Sequence, residues 1–334
     1  MTPETWLRPT PTGLYCEPGG FYLDPTAPVE RAVVTHGHAD HARPDNKCVL
    51  ATAETLAIMR TRYGARAGAS LQSLRYGERL TIGDVAVMLV PAGHVLGSAQ
   101  AVIEHRGVRA VVSGDYKRRR DPTCAPFEPI RCDLFVTEAT FGLPVFRHPS
   151  DAGEIEKLLH SVLLFPERVH LVGVYALGKC QRLLALLREA GYGEPVYLHG
   201  ALTGLTELYR DHGIEFGPVL PWAAAAKEDF RGRIVLVPPA ALADRWTRRL
   251  PEPVIALASG WMRVKQRAKA RGVELPLVIS DHADWDELTR TIDEVGAPEI
   301  WVTHGSEEAL VHHARTRGLR ARALALTGFD DEEE

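Results

Sequence analysis

The sequence is poor in cysteine and in long apolar runs, and each shortage excludes a class of protein. Five cysteines in 334 residues, with no CxxC pair, argue against a disulfide framework or a cysteine zinc knuckle and fit a reducing cytosol. No apolar run approaches the roughly 20 residues that a bilayer span needs, and the N-terminus has no basic-then-apolar signal region. We therefore expect a soluble, cytoplasmic protein with no membrane partner.

An excess of positive charge is also missing. The 39 Lys and Arg residues stand against 43 Asp and Glu residues, which leaves a net charge of −4. Because proteins that bind polyanions usually carry a basic excess, this balance alone argues against nucleic acid. Five of the acids, however, form the C-terminal segment 330–334, which we expect to be a solvated chain end. The charge beside a candidate site is therefore more informative than the sum.

The chain has no internal repeat or low-complexity linker, but its pattern of predicted secondary structure changes near residue 150. Before that point it consists of short β-branched or apolar segments, with one helix predicted at Ala53–Tyr63. From about Asp151 helices and strands alternate, and PVYLHG, RIVLVPP and PVIALAS are typical of buried parallel strands. Beyond residue 277 we expect a helix, a strand and a helix. The pattern predicts an α/β protein of two lobes, closely packed or with one inserted in the other.

The most informative stretch is THGHADH at residues 35–41, which follows an apolar strand. His36, His38, Asp40 and His41 place four metal-binding side chains within six residues. On an extended segment His36 and His38 point the same way, and a turn would bring the other two nearby. Imidazole and carboxylate suit zinc, manganese or iron. The alternative is that these are merely surface histidines. The position of the stretch directly after a buried strand argues against that alternative.

Three later residues are also candidate metal ligands, since each lies at the end of a predicted strand and next to a glycine. They are His94, Asp115 and His304. Alone, each is more typical of a turn. Together with the first four they supply seven ligands, enough for two metals that share a bridging carboxylate. Two ions about 3.5–4 Å apart suit phosphodiester hydrolysis.

These stretches, in this order, resemble the motif series of the metallo-β-lactamase fold. The series begins at Asp24 and continues through HGHADH, AGHVLGSAQ and SGDY. TEATFG, SDHAD and THG resemble the motifs A, B and C of the β-CASP nucleases, and GKCQ resembles a helix start in their cap domain. The stretch GWMRVKQRAKARGVELPLVISDHADW is more narrowly similar to the bacterial ligase-associated DNA exonucleases, which are Artemis-like.

The resemblance implies a metallo-β-lactamase αββα sandwich at residues 1–150, completed by residues 277–334. An α/β β-CASP cap would be inserted at residues 151–276. The implied activity is that of a metal-dependent DNA exonuclease in DNA repair that favours single-stranded ends, with an RNA-processing ribonuclease of the same family as the alternative. A DNA ligase and a helicase encoded in the same operon are the implied protein partners. The β-CASP motifs argue against a small-molecule hydrolase.

The resemblance also implies roles for individual residues. His36, His38 and His94 would hold one divalent ion, Zn²⁺ or Mn²⁺. A second set, Asp40, His41 and His304, would hold another, with Asp115 as the bridge. Asp24 would orient a ligand histidine, although a turn carboxylate before Pro25 is its alternative.

The candidate catalytic residues are Asp40, His282 and Glu138. His282 is the best candidate for a general acid because histidine is the side chain type whose unperturbed pKa lies near neutrality, and Glu138 would hydrogen-bond the imidazole.

Four cations are predicted to contact the substrate. Lys117 and Arg118 open a basic run directly after Asp115, Lys179 stands at a predicted helix N-terminus, and Arg263 belongs to a second basic stretch. Simple solvation of the charge is about equally plausible for the run and for Lys179.

Overall fold

The structure of the chain, a computed structural model, describes residues 2–324, and the acidic segment 330–334 lies outside the described residues. The fold is mixed α/β with three β-sheets in this range. Within this range the chain forms two compact units, one made of residues 2–147 and 282–324 and the other of residues 148–281. The units are described one at a time. The further division into a metallo-β-lactamase sandwich and a β-CASP cap stays a prediction.

The first unit begins with a six-stranded sheet in chain order. Its elements are β1 (Leu7–Thr10), β2 (Gly13–Cys16), β3 (Phe21–Leu23), β4 (Arg31–Val33), β5 (Cys48–Ala51), helix α1 (Ala53–Tyr63) and β6 (Ser70–Ser73). The strands β1 to β3 pair antiparallel, and β3 to β6 pair parallel. The helix predicted at Ala53–Tyr63 is confirmed. The Thr52 side chain caps it by accepting from the Thr55 N–H, and it ends at Gly64.

A second sheet starts with five strands that follow one another along the chain. They are β7 (Arg79–Ile82), β8 (Val85–Pro91), β9 (Ala99–His105), β10 (Val108–Val112) and β11 (Leu134–Ala139). The pairs from β7 to β10 are antiparallel, whereas β10 and β11 run parallel. The change of direction brings the C-terminal ends of β10 and β11 to one edge.

The second unit alternates helices and strands, as the sequence predicts. Its elements are α2 (Asp151–Leu164), β12 (His170–Gly173), α3 (Lys179–Glu189), β13 (Val196–Leu198), α4 (Gly200–Asp211), β14 (Val219–Pro221), β15 (Ile234–Val237), β16 (Val254–Ala258), α5 (Lys265–Ala270) and β17 (Leu275–Leu277). All strands pair parallel, in the order β14-β13-β15-β12-β16-β17. The prediction of buried parallel strands here is confirmed.

The chain then returns to the first unit and completes its second sheet. The elements are α6 (Trp285–Val295), β18 (Glu299–Gly305), α7 (Glu307–Thr316) and β19 (Arg320–Ala323). The strand β18 lies parallel to β11, which gives the order β19-β18-β11-β10-β9-β8-β7. The ends of β10, β11 and β18 therefore meet at the same edge, where loops can bring distant residues together.

Apolar side chains fix these layers within the first unit. Facing residues of its two sheets share one buried core, among them Leu14, Phe21, Val87, Ile103 and Leu134. Helices α6 and α7 cover the other face of the second sheet, and α1 packs on the outer face of the first. None of the helices in residues 2–324 combines the length and hydrophobicity that a membrane span requires.

Candidate metal centre

The seven predicted ligands lie together in the first unit, at the strand ends described above. HGHADH follows β4, His94 follows β8, Asp115 follows β10, and His304 lies near the end of β18. Their ligand atoms form two groups, each with all atoms within 4.8 Å of one another: His36, His38, His94 and Asp115 in one, and Asp40, His41 and His304 in the other.

The first group is built from three imidazoles around one carboxylate. The His38 Nδ1 lies 3.1 Å from the His36 Nε2 and 2.9 Å from the His94 Nε2. The Asp115 Oδ2 lies 3.4 Å from the His36 Nε2 and 3.9 Å from the His94 Nε2. His36 and His94 are fully buried. Three ring nitrogens and one carboxylate oxygen thus face a common point.

The second group adjoins the first through the same carboxylate oxygen. The His41 Nε2 lies 3.3 Å from the Asp115 Oδ2 and 3.5 Å from the Asp40 Oδ2. The His304 Nε2 lies 3.8 Å from the Asp40 Oδ2. One oxygen of Asp115 is therefore within 4 Å of nitrogens from both groups, which is the position a shared ligand occupies.

The separations and the hydrogen bonding both fit a metal centre. Two ligand atoms on a tetrahedral zinc, each about 2.0–2.1 Å from the ion, are about 3.3 Å apart. The distances within the groups scatter around that value. The Asp115 Oδ1 is buried and accepts no hydrogen bond from any residue in the range 2–324. Because a buried carboxylate oxygen is rarely left without a partner, this atom is a natural metal ligand.

Asp24 and Thr35 set the orientation of two ligand rings. Asp24 accepts from the His41 Nδ1 at 2.8 Å, from the Thr35 N–H at 2.8 Å and from the Thr35 hydroxyl at 2.6 Å. The same hydroxyl lies 3.1 Å from the His36 Nδ1. Both rings thereby keep the proton on Nδ1 and direct an Nε2 lone pair into the cluster. The sequence pointed to Asp24, but Thr35 was missed; it shares the strand end with the ligands.

The crowding of these groups perturbs their pKa values strongly. Burial, reinforced by His41, lowers the pKa of His36 well below its usual value. Burial also opposes a proton on His41, but Asp115, Asp40 and Asp24 together raise the pKa of His41 well above the ordinary value. Burial disfavours ionised Asp115, yet the surrounding histidines, His41 first, hold its pKa well below the usual range. The cluster therefore keeps its carboxylates charged.

Three residues at the site, one glycine and two non-glycine residues, have positive backbone φ angles. Asp24 and His304 adopt positive φ angles of 41° and 63°, which non-glycine residues rarely do outside functional or tightly held positions. Gly93, directly before the ligand His94, has φ 75°, and an added Cβ would lie 2.3 Å from the carbonyl oxygen of Lys117. Only glycine fits there.

The predicted catalytic pair also lies in the first unit, beside the metal ligands. The His282 Nδ1 donates to the Glu138 Oε2 at 3.0 Å, and the other Glu138 oxygen accepts from the Tyr116 N–H at 2.7 Å. One ligand atom from each of Asp115, Glu138 and His282 falls within 4.8 Å of the other two. Glu138 is 1% exposed and His282 7%. The imidazole is thus held by a buried carboxylate next to the shared ligand.

The two lysines predicted to contact the substrate are buried, and their contact with a substrate stays a prediction. Lys117 is 1% exposed, and its Nζ donates to the backbone carbonyl of His282 at 3.3 Å. Lys179, in the second unit, is fully buried, and its Nζ lies 2.6 Å from the Asp281 Oδ1. Both side chains turn inward to an oxygen partner, because a buried ammonium group needs one.

The two predicted arginines differ from each other. Arg118 is mostly buried; it donates to Thr291 and pairs with Glu294 at 2.7 Å, so its charge is largely compensated within the first unit. Arg263, at the end of a short 3₁₀ helix in the second unit, is exposed. Its role with a substrate stays a prediction.

Comparisons with known proteins identify three informative relatives. A protein named a probable DNA ligase from Opitutus terrae is 32% identical over an alignment of 326 positions that covers 96% of this chain and 31% of that protein. Ribonuclease TTHA0252 from Thermus thermophilus is 25% identical over an alignment of 387 positions, gaps included, that covers 93% of this chain and 89% of that protein. The cleavage and polyadenylation specificity factor subunit 3 of Dictyostelium discoideum is 32% identical over 133 residues, 39% of this chain and 17% of that protein.

The chain spans less than a third of the Opitutus protein and less than a fifth of the Dictyostelium protein. No protein-family model matches it. A crystal structure of a protein of unknown function from Enterococcus faecalis shares the fold, with a TM-score of 0.61 and 15% identity over 87% of this chain and 78% of that one. The relatives support the β-CASP nuclease family within the metallo-β-lactamase fold. They do not distinguish the Artemis-like, ligase-associated subgroup.

Proposed function

We propose that this chain is a metal-dependent nuclease that hydrolyses phosphodiester bonds. The observation that carries the proposal is the cluster of seven ligand side chains with the His282–Glu138 pair directly beside it. A metal site alone would serve many hydrolases. The buried acid–base pair adds a proton donor where a leaving oxygen would need one.

In this proposal the residues keep the roles that the sequence predicts. His36, His38 and His94 hold one divalent ion, Asp40, His41 and His304 the other, and Asp115 is shared. Bound ions would supply an activated water and neutralise the charge of the phosphate. We favour Zn²⁺ or Mn²⁺ because the donors are imidazoles and carboxylates. Asp40 and Asp115 keep the site anionic before ions bind.

His282 transfers a proton to the oxygen that leaves. Its Nδ1–H donates to Glu138, so the proton that moves is the one carried by Nε2. Glu138 stabilises the charged imidazole before transfer and holds its orientation afterwards. The Lys117 Nζ donates to the backbone carbonyl oxygen of His282 and so restrains the backbone of that residue. Each contact restrains the ring in one tautomer and one direction.

The relatives support RNA as the substrate more broadly than DNA. Ribonuclease TTHA0252 matches 93% of this chain, and a polyadenylation factor also matches, so two relatives carry names from RNA processing. DNA is the second candidate. The specific observation in its favour is that the Opitutus match extends over 96% of this chain within a protein named as a probable DNA ligase. Single-stranded DNA ends, an exonuclease role in repair and a ligase partner belong to this second candidate because the resemblance of the motifs implies them.

The finer assignments belong to the same proposal. The proposed fold is a metallo-β-lactamase sandwich completed by the C-terminal segment, with a β-CASP cap at residues 151–276. The ligase-associated, Artemis-like subgroup belongs to the second candidate, a DNA exonuclease. A helicase partner and a cytoplasmic location follow from the same resemblance. The all-parallel sheet of residues 148–281 supports a separate inserted lobe.

The test is hydrolysis of RNA and single-stranded DNA of the same sequence, each labelled in turn at one end. We expect cleavage that EDTA abolishes and that Zn²⁺ or Mn²⁺ restores. Asp115→Asn should be inactive, whereas a substitution of the exposed His160 should have no effect. The ladder of products shows polarity, and the ratio of rates decides between RNA and DNA. Undiminished cleavage by a clean Asp115→Asn preparation would overturn the proposal.

A further inference from the structure

Three aromatic side chains stack on one another in the second unit. The Trp222 and Trp246 rings have centroids 4.2 Å apart and an interplanar angle of 28°. The His199 ring lies 6.4 Å from Trp222 at 4° and 6.0 Å from Trp246 at 26°. We call His199, Trp222 and Trp246 the aromatic stack. All three are partly exposed, and no predicted site residue belongs to the stack.

The stack sits where parallel α/β sheets bind ligands. His199 directly follows β13, Trp222 directly follows β14, and Trp246 lies in the connection after β15. These three strands are neighbours in the order β14-β13-β15. Because the strands run parallel, the rings gather beyond one carboxyl edge, the usual position of a binding crevice in open α/β sheets.

The stack carries N–H donors. The His199 Nδ1 accepts from the Ala201 N–H at 3.2 Å, so the ring proton is on Nε2. The Trp246 Nε1 is buried, and no residue in the range 2–324 accepts its hydrogen bond. A buried indole N–H normally has a partner. The stack thus presents partly exposed π faces, which suit a flat ring, and has an unpartnered indole N–H within it.

We infer that the aromatic stack binds a nucleobase of a single-stranded nucleic acid. The inference rests on the proposed nuclease function, which supplies a polynucleotide as the ligand. Nucleobases are flat and carry carbonyl and ring-nitrogen acceptors, and each has a π face that stacks on tryptophan without strong sequence preference. The alternative is that the rings only cover the core, since Trp222 and Trp246 pack against a buried cluster that includes Val235.

The test separates stacking on bases from attraction to phosphates. Binding is measured in EDTA, so that no cleavage occurs, by fluorescence anisotropy of a labelled single-stranded oligonucleotide and of an abasic oligomer of equal length. Trp222→Ala and Trp246→Ala are compared with Trp222→Phe, which keeps a ring. Phe165→Ala removes an aromatic ring that is 40% exposed elsewhere in the second unit and serves as the matched control.

We expect the alanine variants to bind the oligonucleotide about 5- to 150-fold more weakly, the range that follows from one stacked base. Their affinity for the abasic oligomer should not change, Trp222→Phe should retain most of the binding, and Phe165→Ala all of it. Equal losses for both oligomers, or no loss, would overturn the inference. If the protein cleaves nucleic acid but binds it regardless of the bases, the nuclease proposal holds and the inference about the aromatic stack fails. If it binds through the bases but does not cleave, only the nuclease proposal fails.

Discussion

Substitution of His282 and Glu138 tests whether this pair donates the proton to the leaving oxygen. The two side chains are joined by a 3.0 Å hydrogen bond between the His282 Nδ1 and the Glu138 Oε2. Removal of the imidazole by His282→Ala deletes the proposed acid itself. Glu138→Gln keeps the shape of the partner and deletes only its charge and one acceptor oxygen. The two changes should therefore differ in size.

The expected sizes follow from the contacts. General acid catalysis contributes about 10²–10⁴-fold, which sets the loss for His282→Ala. The two Glu138 oxygens accept from the His282 ring and from the Tyr116 N–H. A carboxamide has a single acceptor oxygen, so one of these buried donors loses its partner in Glu138→Gln. An unsatisfied buried donor costs about 1–3 kcal/mol, which corresponds to about 5- to 150-fold in rate.

The assay compares leaving groups. Single-turnover rates are measured with the oligonucleotide, whose alkoxide leaving group needs a proton, and with a nucleoside p-nitrophenyl phosphodiester, whose phenolate leaves without one. The rate of His282→Ala should fall by the full factor, about 10²–10⁴-fold, on the oligonucleotide and by less than about tenfold on the aryl ester. Substitution of the exposed His160 is the control. Equal losses on both substrates, or a larger loss for Glu138→Gln than for His282→Ala, would refute the assignment.

Three further results are expected. Asp115→Asn should bind fewer than two equivalents of metal by elemental analysis, because the shared ligand loses its charge; an unchanged metal content would contradict a shared role. Metal affinity should fall as pH is lowered, since the pKa of His41 is raised by its carboxylate neighbours and the ion must displace that proton; titration calorimetry in two buffers should show proton release, and its absence would argue against His41 as a ligand. Gly93→Ala should destabilise the fold in urea by more than about 1 kcal/mol, because its Cβ would meet a backbone carbonyl at 2.3 Å. Gly191→Ala has open space and should cost less, so similar losses would exclude the clash as the cause.

Local patterns in the sequence predicted much of this structure. The helix at Ala53–Tyr63 and the strand Glu299–Gly305 match their segments, because periodicity and capping residues lie next to one another in the chain. The seven ligand candidates could be collected because each stands at a predicted strand end, and in an α/β fold such ends converge. The shared position of the Asp115 Oδ2 needed coordinates, since it depends on a rotamer.

The aromatic stack shows what sequence patterns leave out. Its members, His199, Trp222 and Trp246, are separated by more than 20 residues at each step. They meet because β13 lies between β14 and β15 in the sheet. Strand order of this kind is a long-range property, and nothing in the three local segments specifies it. Thr35 was missed for a different reason: its hydroxyl gains a role only once Asp24 is placed opposite it.

The two buried lysines explain why charge was a poor guide to this protein. Lys179 holds Asp281 in the second unit, and Lys117 holds the carbonyl of the next residue, His282, in the first. Burial of an ammonium group is expensive, and a buried ion pair adds little net stability over apolar packing. What such contacts do supply is a fixed geometry, because a cation in low dielectric tolerates little displacement from its oxygen partner. Two of the predicted substrate-binding cations therefore hold residues 281 and 282, and residue 282 is the proposed acid. The net charge of −4 for the whole chain does not show where these cations lie.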